Sequence, residues 1–546
     1  MAFTQSPVTS TYSTERIPAA YGIDLRFNSA TGFAGTTPIE KDAGMVNLIP
    51  IKDPKTKALG AVTRPPIIGR QVGTETGVPR GLYVWQKTSA NTYYFAVFGT
   101  KVYTSTDSIT WTNVTTFITS ASNPVGFTEY IDSTNVKKLI LVDGIEGYVF
   151  TDNTAGTKIT DVDFPSPHLP FPVFIDGYLF LAKKETGDIY NSNLNDPALW
   201  TAGDFISSEL YPDDIQAIVK VNNYLLAIGT QGSEYFYDAA NATGSPLARY
   251  EGGSLPFGTF FPYSIAVNKN TVVLLANNND GEPSFKIIED FKYKDINNTW
   301  LVNIINTNIY YSNTTSSKGR GYFLRTSGNL TYCFKLNGEE SSLEQAKLSN
   351  GTFVYNLMAD EWSEFRGYSS TSTWRTFSVC FSTFSGSGAQ VTYVLGRDAG
   401  ISYFATFTMG SSGYISGTVQ DDIIGNTTGT GPILTEIRTP RLNFDTLNRK
   451  TMHRLGISVD FGTNVNLAVL SDRVLNVAWS DNDYVNFTSN VELDMAPNIT
   501  GSLENVGFPF ITQLGSFRER SLRLRYSGKQ TIRYRYIEMD INKGQQ

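Results

Sequence analysis

The stretch "GLYVWQKTSANTYYFAVFGTKVYTSTDSITWTNVTTF", residues 81–117, holds four short strand-like runs. They are GLYVWQ (81–86), YYFAVFG (93–99), KVYTST (101–106) and TWTNVTTF (110–117). Val, Tyr, Phe, Trp and Thr suit a pleated, half-buried surface. The Gly, Asn, Ser and Asp residues between the runs are turn formers. The same layout follows in GFTEYI, KKLILVDG, EGYVFTD and a weaker fourth segment. Apolar second strands then recur at 177–183, 223–229, 271–277, 330–336 and 391–397, first at intervals of 40–50 residues and later nearer 60. A period of this size with four strands per unit predicts propeller blades, because one four-stranded sheet cannot bury both faces alone and a ring of them can. Six clear blades are expected, with material for a seventh, ending near residue 410.

Outward from the repeats, residues 1–60 are polar and rich in Ser, Thr, Pro and Gly, which reads as an extended arm. The Gly/Ser/Thr-rich stretch 411–430 reads as a linker. Beyond it, 431–546 alternates apolar and polar residues with period two, as in EIRTPRLNF, HRLGISVDF and TIRYRYIEMDI. The expected fold is therefore all-β: a propeller over 61–410 and a C-terminal sandwich-like domain over 431–546, completed by the N-terminal arm.

Composition narrows the function. The 546 residues carry a formal net charge of −7, which argues against a sequence-reading nucleic-acid binder. It is compatible with a like-charged wall past which DNA slides without sticking. The start MAFTQSPVTSTYSTERIP has no basic-then-apolar pattern of a signal peptide, and no apolar run reaches membrane-spanning length, so synthesis in a cytoplasm is expected. The Asn-x-Ser/Thr triplets at Asn241, Asn350 and Asn426 then carry no weight. Cys333 and Cys380, in apolar strand-like runs, are expected to be buried free thiols.

The segment YTSTDSITWTNVTT (103–116) resembles an Asp-box, the turn found in sialidases and other propellers, with Ser105, Asp107, Thr110 and Trp111 in order. Such a turn supports the fold and carries no chemistry. A glycosidase needs two carboxylates flanking the bond it cleaves, and a sialidase needs an arginine cluster besides; no spaced arginine set stands out on successive blades. His168 and His453 are isolated and supply no zinc site. No phosphate-binding glycine loop or serine elbow is present. NNNDGEP (277–283) lacks the twelve-residue calcium loop and reads as a solvated turn. No catalytic, cofactor or metal residue is assigned. The dense basic cluster is C-terminal: Arg518, Arg520, Arg523, Arg525, Arg533 and Arg535. It is expected to lie at a subunit interface, with a DNA-facing row as the alternative.

Two stretches resemble the tail hub, or packaged-DNA stabilisation, proteins of short-tailed bacteriophages (podoviruses). The first is the blade motif carried by Ser192, Leu194, Asp196, Pro197, Trp200, Asp204, Phe205, Glu209, Pro212 and Asp213, followed by Gly229, Glu234 and Phe236. The second is the ending, LNVAWSDNDYVNF (475–487) and LGSFRERSLRLRYSGKQTIRYRYIEMDI (514–541). The chain departs from the pattern with Asn482 and Asp483 in place of an Asp-Gly turn, and in a longer N-terminal arm. The resemblance covers about 60–410 and 430–546. It implies a non-enzymatic, cofactor-free virion protein: a homo-hexameric nozzle in the phage tail that retains packaged DNA and releases it during genome ejection. Implied partners are the portal adaptor, tail fibres or tailspikes, a needle or plug, and passing DNA in transient, non-specific contact. The C-terminal domain and arm would form the ring, and a gating loop is expected within 297–321. The competing expectation is a propeller that binds or hydrolyses glycans at the tail.

Overall fold

The computed structural model describes residues 12–19, 44–53, 57–115, 123–277, 283–298, 301–302, 305, 319–326, 329–335, 352–367, 375–376, 379–384, 392–398, 401–407, 420–424, 431–461, 473–482, 484–495, 506–507, 509–528 and 531–544. The fold is all-β, a six-bladed propeller with additional sheets. Each blade is built from four consecutive antiparallel strands. Blade one comprises Pro79–Gln86, Thr92–Phe98, Lys101–Ser105 and Thr112–Thr115. Blades two to five begin at Gly126–Ile131, Val173–Ile175, Ala217–Val221 and Ala266–Asn268, and blade six at Arg320–Thr326.

The second strand of a blade is covered on both faces, which is why it reads as a continuous apolar run. In Lys137–Val142, Tyr178–Ala182, Tyr224–Ile228 and Thr271–Asn277 the last four residues are all buried. The fourth strand sits outermost and is correspondingly polar, as in Thr157–Lys158 and Lys292–Asp295, which are wholly exposed. First strands lie side by side from blade one to blade four, and again from blade five to blade six.

The ring closes through a further sheet. Val379–Phe384, Thr392–Asp398 and Ile401–Phe407 form a meander, and Ile67–Gln71, from before blade one, pairs antiparallel with its last strand. Val394, Ala405 and Phe407 of this sheet pack on Leu324, Cys333 and Phe365 of blade six. On its other side Leu395 and Phe404 meet Leu82, Ala96 and Phe98 of blade one. Closing a ring with a strand from the far end of the chain locks first and last sectors together and leaves no long open edge. Gln420–Ile424 runs parallel to the same Ile67–Gln71 strand.

The C-terminal part is two packed sheets. One holds the long strands Lys450–Phe461 and Ile532–Lys543, the hairpin Leu48–Lys52 and Leu59–Thr63, and the arm strand Tyr12–Pro18 on the edge of Ile532–Lys543. The other holds Thr435–Arg438, Ser521–Tyr526, Val474–Ser480 and Val491–Asp494. Leu455, Ile457, Ile537 and Met539 from the first meet Ile437, Leu475, Leu522 and Leu524 from the second in one core. The second sheet does not stop at the sandwich. Gly44–Val46 pairs antiparallel with Thr435–Arg438 and parallel with Glu361–Gly367, the last strand of blade six. One ten-stranded sheet thus runs from propeller into sandwich.

Candidate functional site

The blade motif builds a turn, residue by residue. Ser192 Oγ accepts from the Leu179 amide at 3.0 Å and donates to the Asn193 carbonyl at 3.0 Å. Asp196 caps its own turn through the Ala198 amide at 3.0 Å. Trp200 is buried between blades two and three, its indole N–H on the Pro197 carbonyl at 2.9 Å and its backbone N–H on Asp161 at 3.1 Å. Asp213 reaches into the next blade and accepts from the Gln231 amide at 2.5 Å and the Thr230 hydroxyl at 3.2 Å. A Cβ at Gly229 would lie 2.4 Å from that carboxylate, so a larger residue there would have to push Asp213 off its partners. Glu234, buried, accepts from the Ser208 hydroxyl (2.6 Å) and the Leu210 amide (2.8 Å) and pairs with Arg249 at 2.7 Å. Ser192 and Asp196 thus hold their own turn, and Asp213 and Glu234 tie neighbouring segments together.

The Asp-box behaves the same way. The amides of Thr110 (2.7 Å) and Ile109 (2.8 Å) and the hydroxyl of Ser105 (2.9 Å) all donate to Asp107 and hold its carboxyl well below the usual range. Trp111 packs on Phe404 of the closing sheet, ring centroids 4.8 Å apart. The C-terminal turn repeats the device with Asn482, which accepts from the Ser480 hydroxyl at 2.9 Å and the Asn486 amide at 3.0 Å. Its neighbour Asp483, the segment 306–318 within the expected gate, 278–282 of the acidic turn, and Asn350 and Asn426 lie outside the described residues.

Among the described residues no group of three or more His, Cys, Asp or Glu is placed to hold a metal ion. Cys333 is buried, and burial pushes its thiol well up, so it is inert. Nothing is described of the Cys380 side chain. His453 is exposed on Lys450–Phe461. His168 is buried, with Nδ1 on the Pro165 carbonyl at 2.8 Å, and burial pushes its pKa down to about 4 against the pull of that carbonyl and of Asp143. The folded protein therefore keeps His168 neutral while the unfolded chain protonates near pH 6.5. Stability is lost as pH falls from about 6.5 to about 4, by roughly 3 kcal/mol, and the contribution is flat above that window. His168→Phe, which retains the edge contact with Phe164, is expected to flatten this slope. Denaturant unfolding at pH 7 and pH 4 measures the difference.

Charged and aromatic groups from several sectors of the propeller meet. Tyr263, just before blade five, stacks on Phe171 at 5.8 Å and lies under the Arg320 guanidinium of blade six at 4.4 Å. Burial raises the Tyr263 pKa, and Arg320 and Arg80 of blade one oppose that rise. Arg80 donates to the Gly99 carbonyl at 2.7 Å and to the Asn123 carbonyl, and Asp143 of blade two acts on it. The isolated positions of these arginines in the sequence did not signal that they meet.

The C-terminal arginines separate into different environments. Arg520 is buried: Nε and Nη2 donate to Asp481 at 2.7 Å each, Nη1 donates to the Leu514 carbonyl at 2.8 Å, and Phe517 lies 4.4 Å beneath the guanidinium. Arg525 pairs with buried Glu436, on which Arg438 also sits at 2.9 Å. Burial alone would push Glu436 up; the two arginines overcome it and hold it below its ordinary value. Arg523 lies 4.2 Å over the Phe487 ring. Arg535 pairs with Asp460 at 2.6 Å, and Arg533 stands opposite Asp460 in the ladder. Arg518 is exposed, 3.4 Å from the Leu447 carbonyl. Arg523, Arg525, Arg533 and Arg535 thus lie on outer sheet faces, partly engaged by acids or rings of the same chain.

A polar knot invisible in the sequence ties propeller to sandwich. Asn47 Oδ1 accepts from Arg64 Nε at 3.0 Å and from the Arg366 amide at 2.8 Å, and its Nδ2 donates to the Leu434 carbonyl at 2.9 Å. Arg64 is fully buried. Arg366 and Glu364 of blade six form a two-bond pair at 2.6 and 2.7 Å beside it.

The family profile Phage_stabilise, described as "Bacteriophage P22 Gp10, beta-propeller", matches residues 17–318. No curated protein matches the sequence. Among solved structures, a streptogramin B lyase aligns at 8% identity over 62% of this chain and 96% of its own, with a TM-score of 0.38. A virginiamycin B lyase from Staphylococcus aureus aligns at 9% identity over 63% and 99%, with a TM-score of 0.39. YCF48 bound to D1 peptide aligns at 9% identity over 64% and 96%, with a TM-score of 0.36.

Proposed function

The chain belongs to the bacteriophage stabilisation family of the P22 Gp10 β-propeller, a family of phage virion proteins, and from that premise we propose that six copies close into the nozzle of a short phage tail. In this reading the ring is a conduit that retains packaged DNA and lets it pass during genome ejection. It works mechanically, without catalysis. The portal adaptor sits above it, tail fibres or tailspikes attach outside, and a needle or plug closes it below. The sandwich and arm form the ring, and the propeller is carried by the continuous ten-stranded sheet.

One observation carries the reading. The family match runs from Ile17 in the arm through the hairpin at 48–63 and all of blades one to five. It is therefore a match to this combination of arm, sandwich strands and propeller, beyond a generic blade repeat. Contacts among Tyr263, Phe171, Arg320 and Arg80, which come from separate sectors of the propeller, support a conduit between subunits instead of one through the propeller. The net charge of −7 supports a wall that repels DNA and keeps it mobile. In a closed ring each interface recurs around the symmetry axis, so modest contacts suffice. Native mass measurement is expected to give a particle of about six times 60.3 kDa. A stable monomer, or release of sugars from host polysaccharide by the purified protein, overturns the proposal.

A further inference from the structure

We propose that the arm strand Tyr12–Pro18 is an exchangeable element that, in the assembled particle, pairs with the final strand of a neighbouring copy. The proposal rests on the ring-forming role above, and its partner is a second copy of this chain.

The attachment of the arm strand is unusually self-contained. It pairs with one strand, Ile532–Lys543, in an unbroken antiparallel register from Tyr12↔Asn542 to Pro18↔Tyr536. Its side-chain contacts are also mostly to that strand. Arg16 Nε donates to Glu538 at 2.6 Å, and the Arg16 guanidinium stands 5.1 Å from the Tyr536 ring. Thr14 Oγ1 donates to Asp540 at 2.8 Å, and Lys543 pairs with Glu15 at 3.1 Å. Apolar anchoring is confined to the end of the strand, with Ile17 half-buried against the sandwich core and Ala19 fully buried. The segment is thus a cassette: a backbone ladder, a set of registered polar pairs and one apolar tip.

The acceptor is equally defined. Leu59–Thr63 occupies the start of the final strand, pairing with Arg533 and Tyr534. Residues 536–542 are left for the arm. Without an arm this is an open strand edge, the feature that proteins cover to avoid adventitious pairing. Residues 20–43 separate the arm from the next strand, Gly44–Val46. At up to about 3.3–3.6 Å per residue, this length reaches roughly 80 Å, well beyond the ~30 Å width of a small domain. An arm from the next copy satisfies every contact equally well, so exchange costs no interaction and adds a covalent tether around the ring. Tethering converts each subunit contact into a two-point attachment, with the gain in effective concentration that this brings.

The test is a cysteine pair at Thr14→Cys and Asp540→Cys, directly opposed in the register and within disulfide reach for antiparallel neighbours. Cys380→Ser removes a competing thiol, and Cys333 is buried. The oxidised native assembly is run on a denaturing, non-reducing gel and its native mass is measured in parallel. A ladder of covalent multimers up to the full ring is expected, with each single-cysteine variant staying at monomer size. A hexamer whose chains run as internally linked monomers overturns the exchange and leaves the ring intact. A monomer by native mass overturns the ring, and the exchange with it. Absence of any disulfide in a normal hexamer overturns the pairing of arm and final strand itself.

Discussion

Replacing Arg520 by alanine is expected to destabilise the C-terminal sandwich by about 3–4 kcal/mol, from the void left by a fully buried side chain and the hydrogen bonds lost with it. Three donor atoms of this side chain are committed, two to Asp481 and one to the Leu514 carbonyl, and Phe517 and Trp479 hold the guanidinium at 4.4 and 5.5 Å. Truncation strips the Leu514 carbonyl of this partner and opens a void between two rings. Arg520→Met separates these effects. Its chain fills most of the void, and Asp481, whose side chain is 39% exposed, can take water in place of the lost partner. A smaller loss of about 1–3 kcal/mol is expected for it. Arg520→Lys should fall between, since a point charge cannot make the fork-like pair. Calorimetry reads the order. Equal losses for all three variants would mean that the forked hydrogen bonds carry the whole effect and that filling the void contributes nothing.

That prediction also marks where the sequence could and could not be read. Alternation correctly puts Arg523 and Arg525 on one face of Ser521–Tyr526, because Leu522 and Leu524 point into the core. Arg520, bridged to Leu442 just before that strand, shares the parity of Leu522 and Leu524, so alternation carries it inward; what the sequence hid was Asp481, the acid that makes an inward arginine tolerable. The blades were legible because each second strand is covered on both faces and must be apolar, so its period shows in composition alone. The closing of the ring was not. Ile67–Gln71 meets Ile401–Phe407 across more than 300 residues, and no local pattern encodes a partner at that separation. The blade motif was legible as a family mark, yet only coordinates reveal that Ser192, Asp213 and Glu234 are spent on turns and blade contacts. Asn47 and Arg64 carry no mark in the sequence, because their importance lies in three segments meeting at one point.

That meeting point yields the second large effect. Asn47→Ala is expected to cost about 4 kcal/mol, from several unsatisfied polar groups and one strained residue. The side chain makes three hydrogen bonds, to Arg64, Arg366 and Leu434, and the backbone adopts φ 56°. Alanine at that φ costs roughly 1 kcal/mol or more, and buried Arg64 loses the acceptor of its Nε. Asn47→Gly removes the strain and keeps the loss of bonds, so it should recover about 1 kcal/mol. Asn47→Asp preserves the oxygen that Arg64 and the Arg366 amide use, and gives up only the donation to Leu434; it should be the mildest. The knot joins Glu361–Gly367 of blade six, Gly44–Val46 and the residue before Thr435–Arg438, so its failure should uncouple two bodies while each keeps its own core. Calorimetry is expected to show one melting transition for the native chain and two for Asn47→Ala. A single, uniformly lowered transition would mean that the ten-stranded sheet alone couples propeller to sandwich. The distinction bears on the proposed nozzle, because a push delivered to the propeller reaches the ring only as far as this junction is stiff. Asn47→Ala particles should then assemble with normal stoichiometry but respond weakly to a force on the propeller, whereas a merely unstable sandwich, as in Arg520→Ala, should fail at assembly.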